Sequence, residues 1–306
     1  MFVNEETLRL NYQVEAEESG LSVIDVMATQ MQLSSRLIRK CKTHQQISLN
    51  GHKISVNAKV KEGDIITVML DHDENTFEPN PIHVDVLYED ADMLVVNKPP
   101  FLVVHPTKGH PDGTLANAVS HLQYNCGQNY KIRFINRLDR DTSGVLLIAK
   151  NAYAQQIISD QMQSDEVDKH YVAVVKGRLE LDDGIIDAPI DRLEEGDILR
   201  GVISTGLPSR TRYKVLAKTN DASLIYLTLE TGRTHQIRVH LKHIGHEIIG
   251  DTLYGIQSDL INRQALHCLD MSFKSPRKTE KIIVTAKLPD DILNLLSRLG
   301  LDGIEI

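Results

Sequence analysis

Asn136-Arg137-Leu138-Asp139-Arg140-Asp141-Thr142-Ser143-Gly144 is the stretch on which the reading of this chain turns. It sets one carboxylate, Asp139, between two arginines, and the apolar run Val145-Leu146-Leu147-Ile148-Ala149 follows at once. A run of that kind, closed by Lys150-Asn151, predicts a buried strand. Asp139 then belongs to a loop at the strand's mouth, where a rigid scaffold usually presents catalytic groups. Asp141 is expected to cap or bond locally. The plain alternative is a surface turn whose aspartate is merely flanked by arginines, so the rest of the chain has to decide.

With 306 residues there is room for two domains, one of them small. Apolar residues at 41% and charged residues at 25% are ordinary for a folded globular protein, which argues against disorder. Cys41, Cys126 and Cys268 are odd in number and scattered, so they predict neither a disulfide framework nor a Cys-x-x-Cys metal site. The amino terminus carries Glu5, Glu6, Glu15, Glu17 and Glu18 and no long apolar run, so no secretory leader is expected. No apolar run reaches membrane-spanning length. A soluble cytoplasmic protein without membrane contact is the expectation.

The net charge of −8 first argues against a nucleic-acid partner. Its distribution reverses that. Met31 to Lys61 holds Arg36, Arg39, Lys40, Lys42, Lys53, Lys59 and Lys61 and no acid. A second acid-free stretch, Ile198 to Asn220, holds Arg200, Arg210, Arg212, Lys214 and Lys218. Phosphate binding depends on such local clusters rather than on the total.

Residues 1–72 read as a first unit. Leu21 to Met31 has apolar residues at helical spacing, and Ser34 or Ser35 can cap a second, basic helix through Cys41. Ile47-Ser48-Leu49 then ends in Asn50-Gly51, the pair that favours a tight hairpin. Val60 to Val68 adds a turn and a strand. This order resembles the S-four-like RNA-binding domain, and the resemblance implies that Arg36, Arg39, Lys40 and Lys53 face RNA. Residues 73–81 read as a polar, proline-bearing linker. A larger unit, 82–306, follows, with short strands at Leu94-Val95-Val96 and Leu102-Val103-Val104 and a helix from Thr114 to Leu122. The runs Tyr171 to Val175 and Leu224 to Leu229 predict further strands. Strands predominate with irregularly placed helices, so the fold class expected is mixed α/β (α+β), with a largely antiparallel sheet.

The opening stretch resembles the signature of the RluA-type RNA pseudouridine synthases, and further segments resemble that family in the same order. They are Val95-Val96-Asn97-Lys98-Pro99 with Val104-His105-Pro106, Gly113 to Ala118, Lys169 to Gly177, and Leu229 to His240. The resemblance implies the pseudouridine synthase fold and an isomerase with Asp139 as nucleophile. It implies further that Tyr171 stacks on the target base, that Arg238 pairs with Asp139, and that Arg137 fills the space left by the extruded uridine. Arg233, His235 and Gln236 of the last motif are expected at the substrate. The signature commonly begins with His. Asn136 keeps a hydrogen-bonding side chain but cannot become cationic; the usual His is read as a structural or RNA-facing group, not the proton-transfer agent, so activity is expected to survive.

The chemistry asks for these residue types. One carboxylate can attack either the ribose anomeric carbon or carbon 6 of uracil. Burial alone would protonate it, whereas a guanidinium favours the anion, and the planar fork of Arg238 predicts a two-donor grip on Asp139. The Tyr171 hydroxyl is a candidate general base for the last deprotonation. His235, His240, His243 and His246 match no zinc spacing, and there is no phosphate-cradling glycine loop, so neither metal nor cofactor is expected. The partner expected is structured RNA, ribosomal large-subunit RNA before tRNA, bound by a monomer. Two other readings compete: a non-catalytic RNA-binding or ribosome-assembly protein on the same scaffold, and a glycosidase or nucleosidase using Asp139. The joint presence of Asp139, Tyr171 and Arg238 opposes the first, and the lack of a second paired carboxylate opposes the other.

Overall fold

A computed structural model describes residues 8–304 except 197, 256 and 279. Glu5 and Glu6, part of the leader argument, and the outermost ends of both expected units lie outside the described residues.

The smaller unit is a four-stranded antiparallel sheet, β1 (Arg9–Gln13), β2 (Ile47–Leu49), β3 (His52–Lys53) and β4 (Ile65–Met69), in the order β1-β4-β2-β3. Two short helices cover it, α1 (Val23–Thr29) and α2 (Ser35–Thr43). Each starts at a serine whose hydroxyl accepts a first-turn amide: Ser22 from Asp25, and Ser34 from Leu37. Between β2 and β3, Asn50 and Gly51 both have positive φ, 51° and 80°, which a two-residue hairpin turn of matching twist requires. Val26, Met27, Ile66 and Val68 form the fully buried centre.

The larger unit is built on a ten-stranded sheet. Its strands are β5 (Asp85–Glu89), β6 (Met93–Lys98), β7 (Arg133–Phe134), β8 (Ser143–Ala149), β9 (Asp168–Lys176), β10 (Asp183–Asp187), β13 (Arg210–Lys218), β14 (Ala222–Leu229), β15 (Leu266–Lys274) and β16 (Lys281–Thr285). A separate ribbon is formed by β11 (Ile190–Arg192) and β12 (Arg200–Val202). The main order is β10-β13-β14-β9-β15-β8-β6-β5, with β16 beside β15 and β7 beside β8. Only β8 and β15 run parallel, through His267 opposite Ser143 and Cys268 opposite Gly144. The helices are α3 (Leu115–Asn125), α4 (Ala152–Gln163), α5 (Gln236–His243) and α6 (Asp290–Arg298). The class is mixed α/β with a mostly antiparallel sheet.

Strand β8 is buried along its whole length, as a continuous apolar run between sheet neighbours should be. Gly144 makes its junction with β15 possible. It has φ of 116°, and a Cβ there would lie 2.1 Å from the Cys268 carbonyl oxygen. Two expectations change. Leu102-Val103-Val104 is not a strand; the carbonyls of Val103 and Val104 instead accept the amides of Leu115 and Ala116 in the first turn of α3. Residues 73–81 are not a free linker either. Asp73 pairs with Arg133, Asn75 bonds Ser120, and Asn117 bonds the Glu78 carbonyl, so the segment is fastened to the larger unit. Among the described residues no helix is long and apolar enough to cross a membrane.

Candidate active site

Asp139 lies in the loop entering β8, and its carbonyl accepts the Thr142 amide at 3.1 Å. Buried side chains from distant parts of the chain hold the next three residues. Lys98 at the end of β6, with no exposed surface, donates to the carbonyls of Arg140 (2.8 Å), Leu102 (2.9 Å) and Pro99 (2.8 Å). Arg263 donates to the Asp141 carbonyl at 3.0 Å and is itself gripped by Asp291 in the first turn of α6. Gln264 donates to the Thr142 hydroxyl at 3.2 Å. A loop with its carbonyls tied to fixed cations is pre-organised, which a nucleophile needs. Burial pushes the Lys98 amine down to about 7, while its three carbonyl acceptors suit the ammonium form. As expected, Asp141 bonds locally, paired with Arg140 at 2.7 Å.

Arg238 reaches the nucleophile loop from α5. Its Nη1 donates to Asp139 Oδ2 at 2.8 Å. The two-donor grip predicted for Asp139 falls elsewhere: Nε and Nη2 bind both oxygens of Asp251, at 2.7 and 2.8 Å. The fork cannot embrace two carboxylates at once, and the buried Asp251 is the better placed. Asp251 Oδ1 also accepts the amides of Leu253 and Tyr254, each at 3.0 Å. Burial opposes the Arg238 cation, but the carboxylates of Asp251 and Asp139 outweigh it and hold the group protonated. Asp139 is therefore anchored through Oδ2, and among the described residues Oδ1 makes no hydrogen bond.

His235 faces that second oxygen, with Nε2 at 3.7 Å from Oδ1. It stands at the cap position before α5 with φ of 58°, a left-handed conformation uncommon for histidine. Its Nδ1 lies 2.7 Å from the Tyr254 hydroxyl, which also accepts the Arg200 amide at 2.9 Å. The Asp139 carboxylate beside Nε2 favours the tautomer with its proton there, in which Nδ1 accepts from the Tyr254 O–H. Burial lowers the His235 pKa, so the ring is neutral near pH 7.

Tyr171 on β9 lines the same cleft and is almost fully buried. Burial, with Cys268 and Asp139 nearby, pushes its phenol well above the usual range, so it rests as the neutral phenol. Arg137 and Arg233 are exposed on the cleft wall. Arg137 makes no hydrogen bond or ion pair among the described residues, while Arg233 Nε donates to the Pro208 carbonyl at 3.3 Å. Gln236 departs from expectation. Its amide is buried, accepting from Arg233 N and Thr231 Oγ1 and donating to Arg210 O and Thr211 Oγ1. With every bond used inside the protein it shapes the loop and does not reach substrate. Asn136 is a structural group, its Oδ1 accepting the Leu147 amide at 2.8 Å. The other motif histidine, His240, is bonded to Thr211 and to the Ala188 carbonyl in the core.

The functional residues that sequence reasoning missed are Asp251, Tyr254, Lys98 as an anchor, and Arg263. Asp251 is thirteen positions from Arg238 on a separate turn, with nothing local to mark it. Among the described residues, no group of three or more His, Cys, Asp or Glu converges as a metal site would.

A family model described as RNA pseudouridylate synthase matches residues 92–243, which spans Asp139, Tyr171 and Arg238. An uncharacterized RNA pseudouridine synthase of Bacillus subtilis, YjbO, is 38% identical over 272 residues, covering 88% of this chain and 96% of its own. The ribosomal large subunit pseudouridine synthase D of Nitrosomonas europaea is 35% identical over 310 residues, covering 96% and 88%. Among solved structures, human RNA pseudouridylate synthase domain containing 1 superposes with a TM-score of 0.58 at 29% identity, covering 74% of this chain and 89% of that one. The chain belongs to the RluA-type family of RNA pseudouridine synthases. It is an isomerase acting on RNA.

Proposed function

We propose that the protein converts a uridine of large-subunit ribosomal RNA to pseudouridine, with Asp139 as the nucleophile. The observation that carries the nucleophile is the asymmetry of its carboxylate. Oδ2 is fixed by Arg238 and through it by Asp251, while Oδ1 makes no hydrogen bond among the described residues and faces the His235 ring at 3.7 Å in the cleft that Asp139 lines. A carboxylate held this way keeps its aim without a second base, which suits attack on the anomeric carbon or on carbon 6 of uracil. The large-subunit target is supported by the name of relatives such as the Nitrosomonas protein, aligned over nearly the whole chain.

A uridine stacked in folded RNA has to be extruded to reach Asp139. Exposed Arg137, two residues before the nucleophile, is placed to occupy the vacated stack. Tyr171 offers its face to the uracil, and the neutral His235, with its proton toward Asp139, can donate to an oxygen that develops charge there. Once the bond from the anomeric carbon to N1 has broken, the uracil has turned and the anomeric carbon has joined carbon 5, a proton leaves carbon 5 and N1 takes one up. Tyr171 or the released Asp139 can accept it, the carboxylate with less difficulty because the phenol is so strongly disfavoured as an anion.

The test is pseudouridine mapping of total RNA from cells with and without the protein. Loss of a large-subunit site, restored by the wild-type chain, is the expected result. A lost site confined to tRNA would sink the ribosomal reading.

A further inference from the structure

The small unit does not hang free. Tyr153 and Ile157, at the start of α4, belong to the apolar cluster of the small unit rather than to that of the large one. Beside them, Gln156 Oε1 accepts the amide of Ser34, the residue that caps α2, and Gln156 Nε2 donates to the Gln32 carbonyl at 2.7 Å. A second clamp lies at Arg277, which grips Asp92 and donates to the Arg9 carbonyl in β1. A third is Lys40 of α2, which pairs with Asp71 and Asp73, the latter also bound by Arg133. An apolar contact with three polar clamps around it fixes orientation as well as proximity.

The far end of α4 lines the catalytic cleft through Met162 and Gln163. Gln163 is seven residues beyond Gln156, about 10 Å along the helix axis. One helix therefore carries the basic helix α2 at one end and the cleft wall at the other. Arg36 and Arg39 are exposed in the first turns of α2, next to the docked cap.

We propose that the docked unit is a ruler: it grips the phosphate backbone of an RNA segment held at a fixed distance from the extruded uridine, and that distance selects the site. The inference rests on the small unit being RNA-binding, and adds that its rigid attachment is part of specificity. A tethered unit would raise affinity only through effective concentration and accept many spacings. A docked one rejects RNA whose backbone cannot reach α2 while its uridine is in the cleft.

Two measurements on the full chain test this. Cys126 is exposed and the other two cysteines are buried, so an added Asn57→Cys gives one spin label in each unit. A single narrow distance distribution without RNA is expected, and a broad one overturns the proposal. Ile157→Asp then places a charge in the apolar contact, with the same label pair reporting separation. On total RNA from cells lacking the protein, this variant is expected to lose at least about tenfold in kcat/KM at the native site and to modify further uridines. Native rate and selectivity with the units shown apart would defeat the ruler. The variant Arg36→Ser/Arg39→Ser checks the underlying reading separately. Unchanged RNA affinity and salt dependence would remove the RNA-binding role of α2 whatever the spin labels report.

Discussion

The two acid-free stretches of this chain look alike in sequence and come to opposite ends in the fold. Between Met31 and Lys61 the cations lie on and around α2, β2 and β3, which are all within the stretch. Arg36, Arg39, Lys42 and Lys53 stay exposed and, among the described residues, form no ion pair. Between Ile198 and Asn220 all the cations but Arg200, which is on β12, are on β13, whose partners β10 and β14 come from outside the stretch and bring acids. Arg210 pairs with Asp187 and Glu230, Arg212 with Glu230, and Lys218 with Asp182. Most of the strand's cations are neutralised across its ladder, whereas on the helix and its hairpin Lys40 alone, among the described residues, is paired, with Asp71 and Asp73. The first stretch therefore supplies more free charge for phosphates than the second, where Lys214 is exposed and makes no ion pair among the described residues. The cleft adds a third use of positive charge: Arg238, Lys98 and Arg263 are buried and fully bonded, organising a loop.

These three uses predict effects of decreasing size. Arg238→Lys keeps a charge but cannot hold Asp251 and Asp139 together. The expected loss in single-turnover rate is at least about a hundredfold, roughly 2.7 kcal/mol of transition-state stabilisation, with RNA affinity little changed. Weakened binding with normal chemistry would turn Arg238 into a phosphate contact. Asp251→Asn leaves one acceptor oxygen for the guanidinium and frees Arg238 to swing, so about a tenfold loss of rate is expected, again without loss of affinity. A variant that turns over normally would show that the Asp251 clamp is dispensable.

On the exposed side, Arg36→Ser/Arg39→Ser should flatten the salt dependence of RNA binding by roughly one unit of log–log slope per phosphate contact removed. The same changes at Arg210 and Arg212 should do less, because those cations already have carboxylate partners. Glu230→Gln sharpens the contrast. It releases Arg212 and leaves Arg210 with Asp187 alone, and RNA affinity should rise by about twofold at low salt; a fall would mean that the pairs themselves shape the RNA surface.

A further effect is on stability. Burial works against the Asp71 anion, but bonds from Lys40, His44 and Gln46 outweigh it and lower its pKa from 3.8 to about 2. A carboxyl whose pKa is depressed on folding contributes stability above its unfolded value and loses it as pH falls through the folded one. Wild type should therefore exceed Asp71→Asn by about 1 kcal/mol near pH 5, after allowance for screening, and the gap should close near pH 2. Urea midpoints at the two pH values check it, and a constant gap would exclude the ion pair as the cause.

What was legible in the sequence was local. Period and caps gave α1, α2 and the hairpin at Asn50-Gly51, and the apolar run gave β8 and the mouth at which Asp139 stands. The expectation failed at Leu102-Val104 because a short apolar run does not reveal whether its carbonyls will meet a strand or the first turn of a helix. It failed for Gln236 because a motif marks a residue without saying whether it faces substrate or the loop. Asp251, Lys98 and Arg263 act on Asp139 from far along the chain, through side chains whose partners only the folded sheet brings near. The docking of the small unit was hidden in the same way, since Tyr153, Gln156 and Ile157 read as ordinary helix residues.

The central claim is that one open carboxylate oxygen does the chemistry. Asp139→Asn is nearly isosteric, keeps an oxygen that can accept from Arg238, and removes the anion. The measurement is single-turnover tritium release from uridine-labelled RNA at saturating enzyme, with affinity determined on the same preparation. The account predicts no detectable release and binding within about twofold of wild type, since the change leaves phosphate contacts untouched. Release at the wild-type rate would contradict it.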